Sequence, residues 1–364
     1  MNSQRIIFIG GFLGAGKTTL MFEAARLLAA RGKRVGLVTN DQAPELVDTA
    51  FLAQTGSAVT EVSGSCFCCN FPGLVSAINR LIADAGAEII LAEPVGSCTD
   101  LSATILQPLK DNKGGNVTLA PLSVLVDPKR LQGILEGNSA GLHDSSAYIF
   151  RKQLEEADYI LLTKADTLSE KDVSQFVSRL ASAYPKAKTF VVSAKSGLGL
   201  EAWLNAVATQ TGSGTHLTDV DYDTYAEGEA VLGWLNAMLE IKSEQAVEWK
   251  AFAEQLLSAL SVKFDSMAAA VGHVKLALDT GHSLVTANLV GTRETLEIHG
   301  DKASSNEAKL TLNARVQMTP EQLEACVREV VAEVCGTEVV ACQKAWRCLS
   351  PGRPNPTFRY TQVV

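Results

Sequence analysis

Gly11-Phe12-Leu13-Gly14-Ala15-Gly16-Lys17-Thr18, residues 11–18, follows the apolar run "RIIFIG" (5–10) and precedes the helical pattern "TTLMFEAARLLAARGK" (18–33). It fits G-x-x-x-x-G-K-[ST], and its place between a strand and a helix is the context that gives the pattern meaning. Glycines let the backbone wrap around phosphate oxygens with its N–H groups turned inward, and the helix N-terminus adds its positive end. The spacing predicts that Gly11, Gly14, Ala15, Gly16 and Thr19 line the cradle. Lys17 then reaches the β- and γ-phosphates, and the Thr18 hydroxyl ligates Mg²⁺.

Outward from this loop, strands and helices alternate. "RVGLVTN" (34–40), "AEIILAE" (87–93), "LSVLVD" (122–127), "YILLTK" (159–164) and "KTFVVSA" (188–194) are nearly continuous apolar runs. A parallel sheet buried on both faces requires such runs. Helical patterns such as "PGLVSAINRLIADAG" (72–86) lie between them and stop near glycines. The expected fold class is α/β, a P-loop domain with a mostly parallel, doubly wound sheet over residues 1–210. Residues 211–228 are small, polar and acidic and read as a linker. From 229 to 364 the rhythm changes: strands are expected at 230–241, 271–279, 284–290, 295–299, 308–317 and 338–346, and helices at 246–261 and 320–335. This is a smaller α+β domain of ferredoxin-like β-α-β-β-α-β order with additions. Thr319-Pro320-Glu321 is a strong start for its second helix.

The 364 residues are 46% hydrophobic, enough for cores of this size. The net charge is −8 with no dense basic run, which argues against nucleic acid as a partner. No apolar run approaches the ~18 residues of a membrane span, and the N-terminus has no signal-peptide pattern, so the chain reads as cytoplasmic. In that setting eight cysteines do not suggest disulfides, and three of them crowd into "GSCFCCN" (64–70). Cys66 and Cys68 would share one side of an extended loop, a bend would bring in Cys69, and Asn70 would cap the following helix. Its positive end favours thiolates. Three soft ligands suit Zn²⁺, Cu⁺ or Co²⁺. Small core hydrophobes or a redox dithiol are the other readings of these thiols.

Further motifs follow in the order a nucleotide site requires. Glu93, ending "LAE", is placed to hold Mg²⁺, with Gly96 near the γ-phosphate. In "TKAD" (163–166), Asp166 is placed to read guanine and the Lys164 stem to pack on its ring. "SAK" (193–195) then puts Ser193, Ala194 and Lys195 beside the base. Between the second strand and the cysteines, Asp41, Glu45 and Asp48 offer an acidic switch that could contact Mg²⁺ or position the attacking water. Lys17, Asp41, Asp48 and Glu93 are therefore the candidate catalytic set. Cys98, five residues after Glu93, is a candidate fourth thiol ligand. Cys342 and Cys348 flank a terminal strand at an even separation that would turn both to one side, and Cys326 and Cys335 fall in a helical core pattern. The tail "LSPGRPNPTFRY" (349–360) reads as docking a partner, lying across the nucleotide domain, or solvated.

"GGFLGAGKTT", "SCFCC", "EPVG" and "TKAD" together resemble the CobW-type branch of the CobW/HypB/UreG family of metal-handling GTPases. The resemblance covers the nucleotide half and extends more weakly beyond it. It implies a GTP-hydrolysing metallochaperone using GTP, Mg²⁺ and Zn²⁺ or Co²⁺, which dimerises or docks on a client metalloprotein or a corrinoid-dependent enzyme. Departures are local. The family's Asn-Glu-Phe-Gly-Glu-x-x-x-Asp loop reads Asn40-Asp41-Gln42-Ala43-Pro44-Glu45-Leu46-Val47-Asp48 here, and Thr163 stands where Asn is usual. No histidine-rich stretch is present among five scattered histidines, which disfavours metal storage. The competing readings are a GTPase gating cofactor loading of a cobalamin-dependent enzyme, a small-molecule kinase, and a metal sensor with little turnover. A kinase has no use for the "TKAD" and "SAK" pair.

Overall fold

The computed structural model describes residues 4–42, 44, 46–111, 117–291, 296–302 and 304–364. They form two compact units. The first takes the chain up to Gln42, Leu52–Gly228 and Arg353–Val364, and the second takes the stretch ending at Phe51 together with Glu229–Gly352. Among the described residues no helix is long and apolar enough to cross a membrane.

The sheet of the first unit is built from β1 (Gln4–Gly11), β2 (Val35–Asn40), β3 (Ala58–Val62), β4 (Ile89–Ala92), β5 (Val117–Leu119), β6 (Ser123–Val126), β7 (Tyr159–Leu162) and β8 (Lys188–Val191). Its order is β3-β2-β4-β1-β6-β7-β8, and every pairing is parallel. β5 lies beside the first half of β1, opposite Gln4–Ile6, and β6 takes over opposite Ile9–Gly11. β2, β4, β6 and β7 are buried at every position, which is why their sequences are mostly apolar rather than alternating. The chain lays strands on both sides of β1. In such sheets, ligands bind beyond the carboxyl ends of the strands where the order reverses. Residues 11–17, Asn40, Glu93, Thr163 and Ser193 all follow or end strands at that edge.

Residues 211–228, expected as a linker, are part of the first unit. The polarity that suggested a linker is used inside the fold. The Gly214 amide donates to Asp158 Oδ2 at 2.7 Å, and the Thr215 amide and hydroxyl donate to Oδ1 at 3.1 and 2.9 Å. A helix, Tyr222–Ala230, follows, with Tyr225 buried. The tail from Arg353 onward also belongs here, not with the domain at 229–364.

The second unit comprises β9 (Gly233–Glu248), the helix Trp249–Ser266, β10 (Val271–Asp279), β11 (Leu284–Leu289), β12 (Glu297–His299), β13 (Ser304–Val316), the helix Pro320–Cys335 and β14 (Val339–Leu349). Position 295, where the short strand was expected to begin, lies outside the described residues. The sheet is antiparallel in the order β12-β11-β10-β13-β9-β14. With β11 and β12 set aside, β14-β9-β13-β10 is the 4-1-3-2 order of the ferredoxin-like unit. Both helices bury Trp249, Leu256, Phe264, Val327 and Val330 against the sheet. Thr319 closes a capping box with Gln322. Cys342 and Cys348 do not share a face. The register shifts between Gln343 and Ala345, so Cys342 is exposed while the Cys348 thiol turns inward to the Pro320 carbonyl at 3.1 Å.

Candidate functional site

The phosphate cradle is built from backbone conformations that side chains disfavour. Gly11, Gly14 and Gly16 have φ of 128°, 77° and 91°. A Cβ on Gly11 would stand 2.5 Å from the Leu125 carbonyl oxygen, so β1 and β6 could not keep their pairing there. Gly16 caps the helix Lys17–Ala30, whose first residues are Lys17, Thr18 and Thr19. The Lys17 ammonium lies 3.5 Å from the Phe12 carbonyl and 3.7 Å from Glu93 Oε1. The Thr18 hydroxyl donates to Glu93 Oε2 at 2.9 Å. All three side chains are buried. A hydroxyl and a carboxylate meeting this closely are hard oxygen donors of the kind Mg²⁺ takes, so these residues fit that ion. Gly96 belongs to the same cluster. A Cβ there would sit 3.0 Å from Lys17 Nζ and 3.1 Å from the Leu13 amide nitrogen.

The two short motifs expected beside the base meet. The Ser193 hydroxyl donates to Asp166 Oδ1 at 2.6 Å, and the Ala165 amide to the Val192 carbonyl at 3.2 Å. Asp166 and Lys195 are exposed and Ala194 is half-buried, leaving an accessible edge. Lys164 adopts a left-handed conformation, φ 52°, and its ammonium lies 3.0 Å from Asp127 Oδ2. Thr163 has a role of its own. Its hydroxyl spans the Ala15 carbonyl at 3.0 Å and the Val126 carbonyl at 2.9 Å, tying the phosphate loop to the end of β6.

The expected acidic switch divides. Asp41 stays in the first unit, buried at the end of β2 with its amide on the Val62 carbonyl at 3.2 Å. Asp48 falls in the second unit, where Lys275 grips its carboxylate at 2.6 and 2.8 Å. The same stretch is held there by the Asn313 side chain on the Val47 amide and the Asn236 side chain on the Pro44 carbonyl. Glu45 lies outside the described residues.

The three thiols come together, by a tight turn rather than an extended loop. The Cys69 and Asn70 amides both return to the Cys66 carbonyl, at 3.1 and 2.9 Å. Cys66 and Cys68 sulfurs are 3.0 Å apart, Cys68 and Cys69 3.8 Å, and all three lie within 4.8 Å of one another. That spacing of soft donors fits one thiophilic ion. Asn70 caps the helix Phe71–Ala85 through the Gly73 amide. Thiol hydrogen bonds from Cys68, Cys69 and Cys98 hold the Cys66 thiol well below the usual range. Bonds to Cys66, Cys69 and Cys98 push Cys68 well above it, and the bond to Cys66 pushes Cys69 up to about 11. Cys98 is buried within hydrogen-bonding reach of Cys66 and Cys68, but outside the 4.8 Å group.

Several residues that hold this arrangement were not singled out from sequence. Asn40 Nδ2 donates to the Val62 and Ser65 carbonyls at 2.8 and 2.9 Å, and its Oδ1 accepts from the Phe67 amide at 2.8 Å. The cysteine turn therefore hangs from the residue next to Asp41. Gln153 donates to the Gly96 and Cys98 carbonyls at 3.0 and 2.8 Å, fixing the segment after Glu93. The only sequence signal was the asparagine at the head of the switch loop.

The family model of the CobW/HypB/UreG nucleotide-binding domain matches residues 5–191. The zinc chaperone YeiR of Escherichia coli is 32% identical over 171 residues, covering 44% of this chain and 47% of the relative. The zinc chaperone CobW of Pseudomonas aeruginosa is 26% identical over 231 residues, covering 55% and 59%. The chain thus matches less than two thirds of the length of either relative. Among solved structures, HypB from Helicobacter pylori in complex with nickel aligns with a TM-score of 0.40 at 20% identity, covering 56% of this chain and 85% of that one. The Zn(II)-bound YjiA GTPase from E. coli aligns with a TM-score of 0.35 at 16% identity, covering 92% and 99%. The family match takes in more than half of the chain, with the phosphate cradle, the cysteine turn, Glu93 and the Thr163–Asp166 motif inside it, and the chain belongs to the CobW/HypB/UreG family.

Proposed function

We propose that this chain binds and hydrolyses GTP, and that its nucleotide state sets how tightly a transition metal, zinc or cobalt, is held for delivery to a client metalloprotein. One observation carries the reading. Asn40, at the end of β2 and adjacent to Asp41, bonds both sides of the cysteine turn. Any movement of the β2 end with the state of the γ-phosphate is thereby passed to the thiols.

In this reading the glycine cradle and the N-terminus of the helix Lys17–Ala30 bind the phosphates, and Lys17 leaves Glu93 for their β- and γ-oxygens. Thr18 and Glu93 hold Mg²⁺, which when bound neutralises charge on the phosphates. Asp166, aligned by Ser193, reads the guanine edge, and Lys164, Ala194 and Lys195 border the base. Asp41 orients the attacking water. Cys66, Cys68 and Cys69 hold the cargo ion, with Cys98 in reserve beside them. The chaperone names carried by two relatives agree with this use of the thiols.

The test is Zn²⁺ and Co²⁺ affinity with Mg²⁺ and a GTP analogue, with GDP, and without nucleotide. A change of tenfold or more between the GTP-analogue and GDP states, about 1.4 kcal/mol of coupling, is expected. Tight binding indifferent to nucleotide would make the thiols structural. The function would then move to a GTPase that gates a cobalamin-dependent client.

A further inference from the structure

Of the three clustered sulfurs, Cys66 and Cys68 are 2% exposed, and only Cys69 retains a partly open side. That side is occupied by the far end of the chain. The Asn355 amide donates to Cys69 Sγ at 3.2 Å, and the Thr357 amide to the Cys68 carbonyl at 2.8 Å. The Thr357 hydroxyl reaches the Cys69 carbonyl at 3.3 Å, and the Phe358 ring stands edge-on to Phe71 at 5.3 Å. The run then crosses to the segment that follows Glu93. Arg359 Nε donates to Asp100 Oδ2 at 2.7 Å, and the Tyr360 amide to the Ala103 carbonyl at 3.0 Å.

We infer that residues 355–360 form a strap that completes the wall of the thiol site and must lift before a metal ion can pass between Cys69 and an incoming ligand. This rests on the metal-holding reading of the thiols. Ligand exchange on a tetrahedral thiolate centre needs an approach path to the ion, and the buried sulfurs leave that path on the Cys69 side. An amide hydrogen on a metal-bound sulfur also withdraws charge and orients it, as outer-shell donors do. The strap is suited to opening. It has no helix or strand, and Asn355, Thr357 and Arg359 are exposed, so its local stability is low compared with the sheet beneath.

Asn355→Pro removes the amide hydrogen while keeping an extended chain between Pro354 and Pro356, and Phe358→Ala removes the ring anchor. The double variant, with its fold checked by circular dichroism, is compared with wild type in two assays. The first is the rate of Cys69 alkylation by iodoacetamide in metal-free protein, read by peptide mass spectrometry. The second is the rate of Zn²⁺ transfer to a chromophoric chelator. Both are expected to rise at least tenfold. Should the double variant fail to fold, Thr357→Pro, at an exposed position, takes its place. Alkylation unchanged within twofold overturns the strap as a cover, and faster alkylation with unchanged Zn²⁺ transfer overturns it as a gate. A wild-type protein that binds no Zn²⁺ would sink the metal reading, and with it the gate, while the alkylation rate still decides whether the strap covers Cys69.

Discussion

Glu156 has no exposed surface, accepting the Ser102 amide at 2.9 Å and the Thr99 hydroxyl at 3.1 Å, and burial pushes its carboxyl up to about 8. Raised above its unfolded value near 4.5, this acid contributes stability that is fully present below pH ~4.5 and lost as pH rises through about 8. Glu156→Gln is neutral at every pH. The melting-temperature advantage of that variant over wild type should therefore widen between pH 5 and pH 8 and level off above, as calorimetry would show; a gap independent of pH would refute it. At this scale, the residues legible from sequence were those whose chemistry is local. Lys17 and Thr18 follow from the glycine spacing, and the thiols from their crowding. Asn40, Gln153, Asp100 and Glu156 were not legible, because each acts across a gap in the chain that no periodicity marks. Thr163 was visible as a departure, yet its bond to the Ala15 carbonyl needed the fold.

The cysteine turn is held mainly by its own i→i+3 and i→i+4 amide bonds and by Asn40. Asn40→Ala leaves the Phe67 amide and the Ser65 and Val62 carbonyls without that partner, at a cost of about 2 kcal/mol of stability. Zn²⁺ affinity should fall tenfold or more while the affinity for GDP, measured by titration calorimetry, changes little. Equal loss of both would mean that Asn40 serves the whole sheet edge and not the turn. Among the strands, β2, β4, β6 and β7 were readable because burial on both faces leaves runs that are mostly apolar, with Thr39, Asn40 and Ser123 as the polar exceptions. The stretch at 211–228 was misread for the converse reason. Its small and polar residues satisfy Asp158 from the outside, a use that composition cannot distinguish from solvation. The parity of Cys342 and Cys348 failed on the register shift between them, which has no sequence mark here.

The first unit is assembled from three separated stretches of chain, the last beginning at Arg353. Truncation after Gly352 removes Arg359 from Asp100, whose side chain is 1% exposed and whose carboxyl burial already pushes up. The share of the loss due to this pair should be of the order of 2 kcal/mol, less than the ~3–5 for a wholly buried pair because Arg359 is a third exposed, and the lost Phe358 ring contact and strap amide bonds add to it. Asp100→Asn in the truncated chain should recover part of it, since asparagine tolerates the left-handed backbone at φ 64°. Melting curves of the four combinations check this, and no recovery would place the loss elsewhere in the strap. The threading also has a consequence in time. Synthesis delivers the phosphate loop and the thiols early, then the whole of Glu229–Gly352, and only then the strap. At ~5–20 residues per second, the newborn chain keeps Cys69 uncovered for some tens of seconds during synthesis. The earliest opportunity to take up an ion therefore precedes the arrival of the cover.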